Sequence, residues 1–77
     1  MIDLNDFMNS VNMGLDIEFA YKGRRYTILA WHDPIIIGEQ NTDNEWLYKD
    51  ADDMFNNFII DNIAMKDFIK DIEILFW

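Results

Sequence analysis

Ile17-Glu18-Phe19-Ala20-Tyr21-Lys22-Gly23-Arg24-Arg25-Tyr26-Thr27-Ile28 is the stretch on which the fold turns. Ile17, Phe19 and Tyr21 alternate with Glu18, Ala20 and Lys22, the period of two expected of a strand with one buried face. Lys22-Gly23 is a candidate two-residue turn. A hairpin closed there sets Tyr21 opposite Arg24, Phe19 opposite Tyr26 and Ile17 opposite Ile28. That register gathers the apolar side chains on one face. Glu18, Ala20, Arg25 and Thr27 share the other, which an antiparallel sheet can leave wet.

Upstream, Leu4, Phe7, Met8 and Val11 are spaced by three and four, which predicts a short amphipathic helix over residues 4–13 with Asp3 as its cap and Gly14 as a left-handed stop. Downstream, Leu29-Ala30-Trp31 extend the second strand to a turn at His32-Asp33-Pro34. Ile35-Ile36-Ile37 and Glu45-Trp46-Leu47-Tyr48 flank the polar Asn41-Thr42-Asp43-Asn44 and predict a second hairpin, with Gly38 marking a bulge or tight packing. Asp50 is an N-cap candidate, with Asp52 and Asp53 in the first turn of a helix whose apolar face holds Met54, Phe55, Phe58 and Ile59. Ile60-Asp61-Asn62 breaks that helix, since asparagine tolerates the left-handed conformation. Ala64, Met65, Phe68 and Ile69 predict another helical turn or two. Residues 72–77 fit a final strand or a helical tail equally, because so short a run has no decisive period. The expected fold class is therefore α+β: an N-terminal helix, an antiparallel sheet of about four strands from two hairpins, and a C-terminal helical region.

The order of these pieces, with Gly38-Glu39-Gln40-Asn41, Phe58-Ile59-Ile60-Asp61-Asn62 and an Asp-Ile-Glu-Ile ending, resembles small uncharacterised acidic proteins of Gram-positive bacteria and their phages. Those proteins commonly show a tyrosine-glycine hairpin, an acidic middle and an Ile-Asp-Gly-like turn before a short last helix. This chain departs from them at Asn62, where glycine is usual. The resemblance implies a phage or mobile-element origin and assigns no activity.

Composition narrows the function classes. The 77 residues carry a formal charge of -9 and no cysteine, with 51% hydrophobic and 16% aromatic residues. That combination predicts one ordered domain spanning residues 1–77, whose core supplies only roughly 3 to 5 kcal/mol. It excludes disulfides and thiolate chemistry. The first residues lack the basic and apolar runs of a signal peptide, and no stretch reaches membrane-span length, so a cytoplasmic protein without membrane contact is expected. The charge is uneven: residues 33–61 hold eight carboxylates and one lysine, whereas Lys22, Arg24 and Arg25 cluster at the first hairpin. Such a field repels nucleic acid and attracts basic protein surfaces.

Catalytic constellations are sparse. Ser10, the only serine, falls inside the first helix, and His32, the only histidine, beside a turn, so no nucleophile-base pair is indicated. Asp43-Asn44-Glu45 and Asp50-Ala51-Asp52-Asp53 do not continue into a calcium loop, and helix capping accounts for the second cluster. No metal site, cofactor or catalytic residue is expected. Lys22, Arg24 and Arg25 beside Tyr21 and Tyr26 have the chemistry of a phosphate contact, but a solvated turn paired with Glu18 or Asp16 is the simpler reading in so acidic a chain. Trp31, Trp46 and Trp77 fit core positions singly, yet a terminal Ile74-Leu75-Phe76-Trp77 run implies docking within the fold or onto another chain.

The expectation is a non-enzymatic acidic binding protein that occupies a basic groove as a nucleic-acid mimic, of which a phage-encoded anti-CRISPR or anti-restriction inhibitor is the most specific form. Glu39, Asp43, Glu45, Asp50, Asp52 and Asp53 would stand where phosphates stand, with Trp46 and Tyr48 as desolvated anchors. The alternative is a structural or dimerising module that uses Trp77 and its neighbours as contact. A small enzyme using carboxylates is a third reading, and it requires two of them converging in a pocket.

Overall fold

The structure, a computed structural model, describes residues 3–77; Met1 and Ile2, the start of the segment read for a leader, lie outside them. Asp3 caps α1 (Leu4–Asn12) by accepting from the backbone N–H groups of Asn5 and Asp6. Gly14, at φ +77°, ends it in the left-handed region and sits so close to Trp31 that an added Cβ would meet the Trp31 Cα at 3.4 Å. The chain then runs through β1 (Asp16–Tyr21), β2 (Arg24–Leu29), β3 (Ile35–Glu39) and β4 (Glu45–Tyr48) as an antiparallel meander. Pairing of β1 with β2 follows the expected register, Tyr21 with Arg24, Phe19 with Tyr26 and Ile17 with Ile28. Lys22 and Gly23 both have positive φ, as the right-handed twist of a two-residue hairpin demands.

Beyond β4, α2 (Ala51–Asn57) is capped by Asp50 and ends before Phe58, whose backbone is already extended. This corrects the expectation that the helix runs through Ile59. Ile59 belongs to β5 (Ile59–Ile60), which pairs with β6 (Ile63–Ala64) around Asp61 and Asn62, both at positive φ. The misreading has a simple cause: Phe58 points into the core whether it continues the helix or closes it, so helical spacing from Phe55 does not distinguish the two. A short α3 (Met65–Phe68) and a 3-10 turn follow, and β7 (Glu73–Phe76) completes the chain.

The C-terminal run is thus a strand. It pairs antiparallel with β1 and makes the sheet five-stranded, in the order β4-β3-β2-β1-β7. The register slips between Glu18 and Phe19, leaving Leu75 as the extra residue on β7. Gly38, by contrast, pairs regularly with Thr27 and Glu45, and an added Cβ there would meet nothing within 4 Å. Neither a bulge nor tight packing explains it.

All three helices contribute to one continuous core on the same side of the sheet. Phe58 lies at its centre, with ring centroids 5.7 Å from Tyr26, 5.2 Å from Trp46, 6.3 Å from Tyr48 and 6.1 Å from Phe68. Tyr21 stacks on Phe68 at 4.5 Å, tying β1 to α3, and Phe7 meets Phe55 edge-on at 5.6 Å, tying α1 to α2. No helix of the described residues is long and apolar enough to cross a membrane.

Candidate binding surface of the sheet

Because the helices of the described residues pack on one face, the opposite face of the sheet has no helical cover among those residues. Strand alternation supplies its residues: Glu45 and Leu47 from β4, Ile36 and Gly38 from β3, Arg25, Thr27 and Leu29 from β2, Asp16, Glu18 and Ala20 from β1, and Glu73 and Phe76 from β7. Two ranks cross the strands. Leu47, Ile36, Leu29 and Asp16 are successive cross-strand partners, and beside them run Glu45, Gly38, Thr27, Glu18 and Phe76. The first rank is apolar over three strands, and Leu47 is 61% exposed. The second holds two carboxylates, Glu45 and Glu18, on either side of the small Gly38 and Thr27, and ends on the exposed Phe76.

Local hydrogen bonds hold this face. The Gln40 Nε2 donates to Glu18 Oε1 at 2.9 Å and to Thr27 Oγ1 at 3.3 Å, while the Gln40 backbone N–H donates to the Arg25 carbonyl. The β3–β4 loop is closed by Thr42, whose hydroxyl donates to the Glu39 carbonyl at 2.9 Å and accepts from the Asn44 N–H at 3.1 Å. Where Gly38 leaves a side chain out, the face dips into an open cleft of about 490 Å³.

The six carboxylates singled out in the sequence do not form one surface. Glu45 lies on the open face and Asp43 in the adjoining loop, whereas Glu39 has the strand parity of the core side, opposite Tyr26. Asp50, Asp52 and Asp53 sit at the other end of β4, in and before the first turn of α2. Two of these three are engaged in holding the turn: Asp50 Oδ1 accepts from the Asp53 N–H at 2.8 Å, and Asp53 accepts from the Lys49 N–H at 3.0 Å and the Asn57 amide at 2.7 Å. Those donors hold the Asp53 carboxyl below the usual carboxylate range, the Lys49 N–H foremost.

The aromatic residues divide as well. Tyr48 is 8% exposed and belongs to the core, where burial raises its pKa. Trp46 is half-buried against Phe58 on the core side. Neither offers a ring to the open face. Trp77, at 49% exposure, and Trp31, at 61%, are the exposed tryptophans. Trp31 lies with Ala30 in the turn after β2, which ends at Leu29 instead of extending through both, and its ring is 5.5 Å from that of His32.

The basic hairpin tip is paired, but not with Glu18 or Asp16. Lys22 Nζ lies 3.6 Å and Arg24 3.4 Å from Asp61, so the tip of the β1–β2 hairpin meets the tip of the β5–β6 hairpin. The Arg24 pKa is raised, first by Tyr26 and then by Asp61. His32 Nδ1 lies 2.8 Å from the Pro34 carbonyl, and the Ser10 hydroxyl donates to the Asp6 carbonyl one helical turn back. Among the described residues no group of three or more His, Asp or Glu side chains is arranged to hold a metal ion.

Ile36, Gly38, Gln40 and Leu47 are the members of this surface that reading for charge passes over. Their signal is present in the second hairpin. Once Ile35 and Ile37 are assigned inward, Ile36 and its partner Leu47 must face outward, and an apolar pair on a wet face is unusual enough to note.

No family model, curated protein or solved structure matches the chain.

Proposed function

We propose that this chain is a non-enzymatic binding protein that presents the open face of its sheet to a basic protein surface. The observation that carries the reading is the face itself: an apolar rank of Leu47, Ile36 and Leu29 beside a rank holding Glu45 and Glu18, uncovered by any helix. An apolar centre with a charged rim is the anatomy of a protein interface, and the charge of -9 selects the sign of the partner. Nucleic-acid enzymes are the partner class with the most basic grooves, and a phage or mobile-element inhibitor of such an enzyme is the specific form of the proposal. Recognition then runs through a face of mixed character. A row of phosphate-like charges drawn from all six carboxylates is not available, because they are split between the two ends of β4.

The test compares two substitutions of equal charge. Glu45→Lys alters the open face and Asp52→Lys the helical side, and each variant is used to capture partners from host lysate at low and high salt. The expected outcome is that a partner retained by the wild type at low salt is lost by Glu45→Lys and kept by Asp52→Lys. If Asp52→Lys is the variant that releases it, the binding surface is on the helical side and the reading falls.

A second reading, a self-associating module, is favoured by β7. This strand forms one edge of the sheet and leaves Leu75, Phe76 and Trp77 exposed. Light scattering on the chain with and without Trp77 decides it: dimers that dissociate on deletion support self-association, and monomers in both samples count against it.

A further inference from the structure

We infer that the cleft at Gly38 is a docking site for an arginine side chain carried on an extended segment of the partner protein, which makes this inference a refinement of the face reading above. Three observations lead to it. First, Gly38 is the penultimate residue of β3 and regularly paired on both sides, where glycine is among the poorest strand formers, and neither its backbone conformation nor any neighbour requires it: its φ lies outside the left-handed region and a Cβ would meet nothing within 4 Å. A strand glycine with no internal reason commonly marks the close approach of something external.

Second, the cleft that Gly38 opens has two unlike walls. Leu29 and Ile36 form an apolar side, and Asp43 and Glu45 are the acidic residues of the loop and open face that line it, while among the described residues no lysine or arginine lines it. An occupant that satisfies both walls has an aliphatic stem and a cationic head. Third, the volume of about 490 Å³ is open to solvent, and the exposed Leu47 is the cross-strand partner of its lining residue Ile36, so it suits a segment lying across the sheet better than an enclosed small molecule. Arginine fits better than lysine because its planar fork can donate to carboxylates on separate side chains at once, here Asp43 in the loop and Glu45 on β4.

The experiment follows backbone amide shifts of the isotope-labelled full chain on titration with a capped Ala-Ala-Arg-Ala-Ala peptide, and with the same peptide carrying neutral citrulline. The expected result is saturable shifts centred on Thr27, Leu29, Gly38, Gln40 and Asn44, with the citrulline peptide about tenfold weaker. Gly38→Val fills the cleft from a strand-compatible position and is expected to fold at least as stably as the wild type while losing about tenfold in affinity. Glu45→Gln keeps the shape of the cleft and weakens only the arginine peptide. Equal binding of the two peptides, shifts centred elsewhere, no shifts in the wild type, or unchanged affinity in folded Gly38→Val each overturn the inference. The capture experiment separates this from the parent reading: a partner still lost by Glu45→Lys but held by Gly38→Val leaves the open face as the interface and removes the cleft as its anchor.

Discussion

Asp50 and Asp53 show how much of the acidic charge is structural. Asp50 receives the Asp53 N–H at the start of α2, and Asp53 reaches back to the Lys49 N–H, a reciprocal arrangement close to a capping box. Asp50→Ala is expected to remove about 1 kcal/mol of stability, measured by urea unfolding. The Asp53 pKa is lowered by the Lys49 N–H and then by the Asn57 amide. A folded pKa below the unfolded one, about 4 for aspartate, means that this stabilisation is present above the unfolded value and is lost as pH falls through the folded one. A carboxylate titration by NMR should therefore find Asp53 below the ordinary aspartate range, and Asn57→Ala should move it back toward that range. The cap at Asp50 is legible in the sequence because capping is a relation among near neighbours. The pairing of Lys22 and Arg24 with Asp61 is not, since Glu18 and Asp16 are nearer along the chain and equally acidic.

Among the elements, the segment after α2 carries the heaviest energetic load. Phe58 is fully buried and its ring touches residues from β2, β4 and α3. Phe58→Ala is expected to destabilise by about 3 to 5 kcal/mol, comparable to all that a core of this size supplies. Thermal unfolding followed through the near-ultraviolet signal of Trp46, which packs 5.2 Å from Phe58, checks it; a loss under about 1 kcal/mol would mean the core closes over the gap. The first hairpin is readable to the register because a two-residue turn and alternating apolar residues leave only one pairing that keeps the apolar set together. Residues 72–77 have no such turn. The strand state of Glu73–Phe76 comes from pairing with the distant β1.

For the whole molecule, a charge of -9 is confined within a radius of gyration of 11.1 Å. The Debye length is about 10 Å at 0.1 M salt and about 30 Å at 0.01 M, so at low salt every carboxylate feels most of the others. Stability should accordingly rise between about 0.01 M and 0.5 M sodium chloride, read as an increase in melting temperature. Binding to a basic partner should weaken over the same range, and the opposite signs of the two salt effects distinguish self-repulsion from partner attraction. The acidic count by itself points to residues 33–61, but their carboxylates separate in space. Glu18 from β1 joins Glu45 from β4 on the open face, a grouping that sequence proximity conceals.

Local order along the chain accounts for α1, both large hairpins, the cap of α2 and the turns at Gly14, Lys22-Gly23 and Asp61-Asn62, because each depends on residues within a few positions of one another. The site is different in kind. Which side of the sheet the helices cover, that β7 lies against β1, and that Ile36, Gly38 and Leu47 are left facing outward all follow from contacts between distant segments competing for one core. Burying Phe7, Phe55, Phe58 and Phe68 together consumes one face of the sheet, and the open face with its glycine cleft is what that packing leaves uncovered.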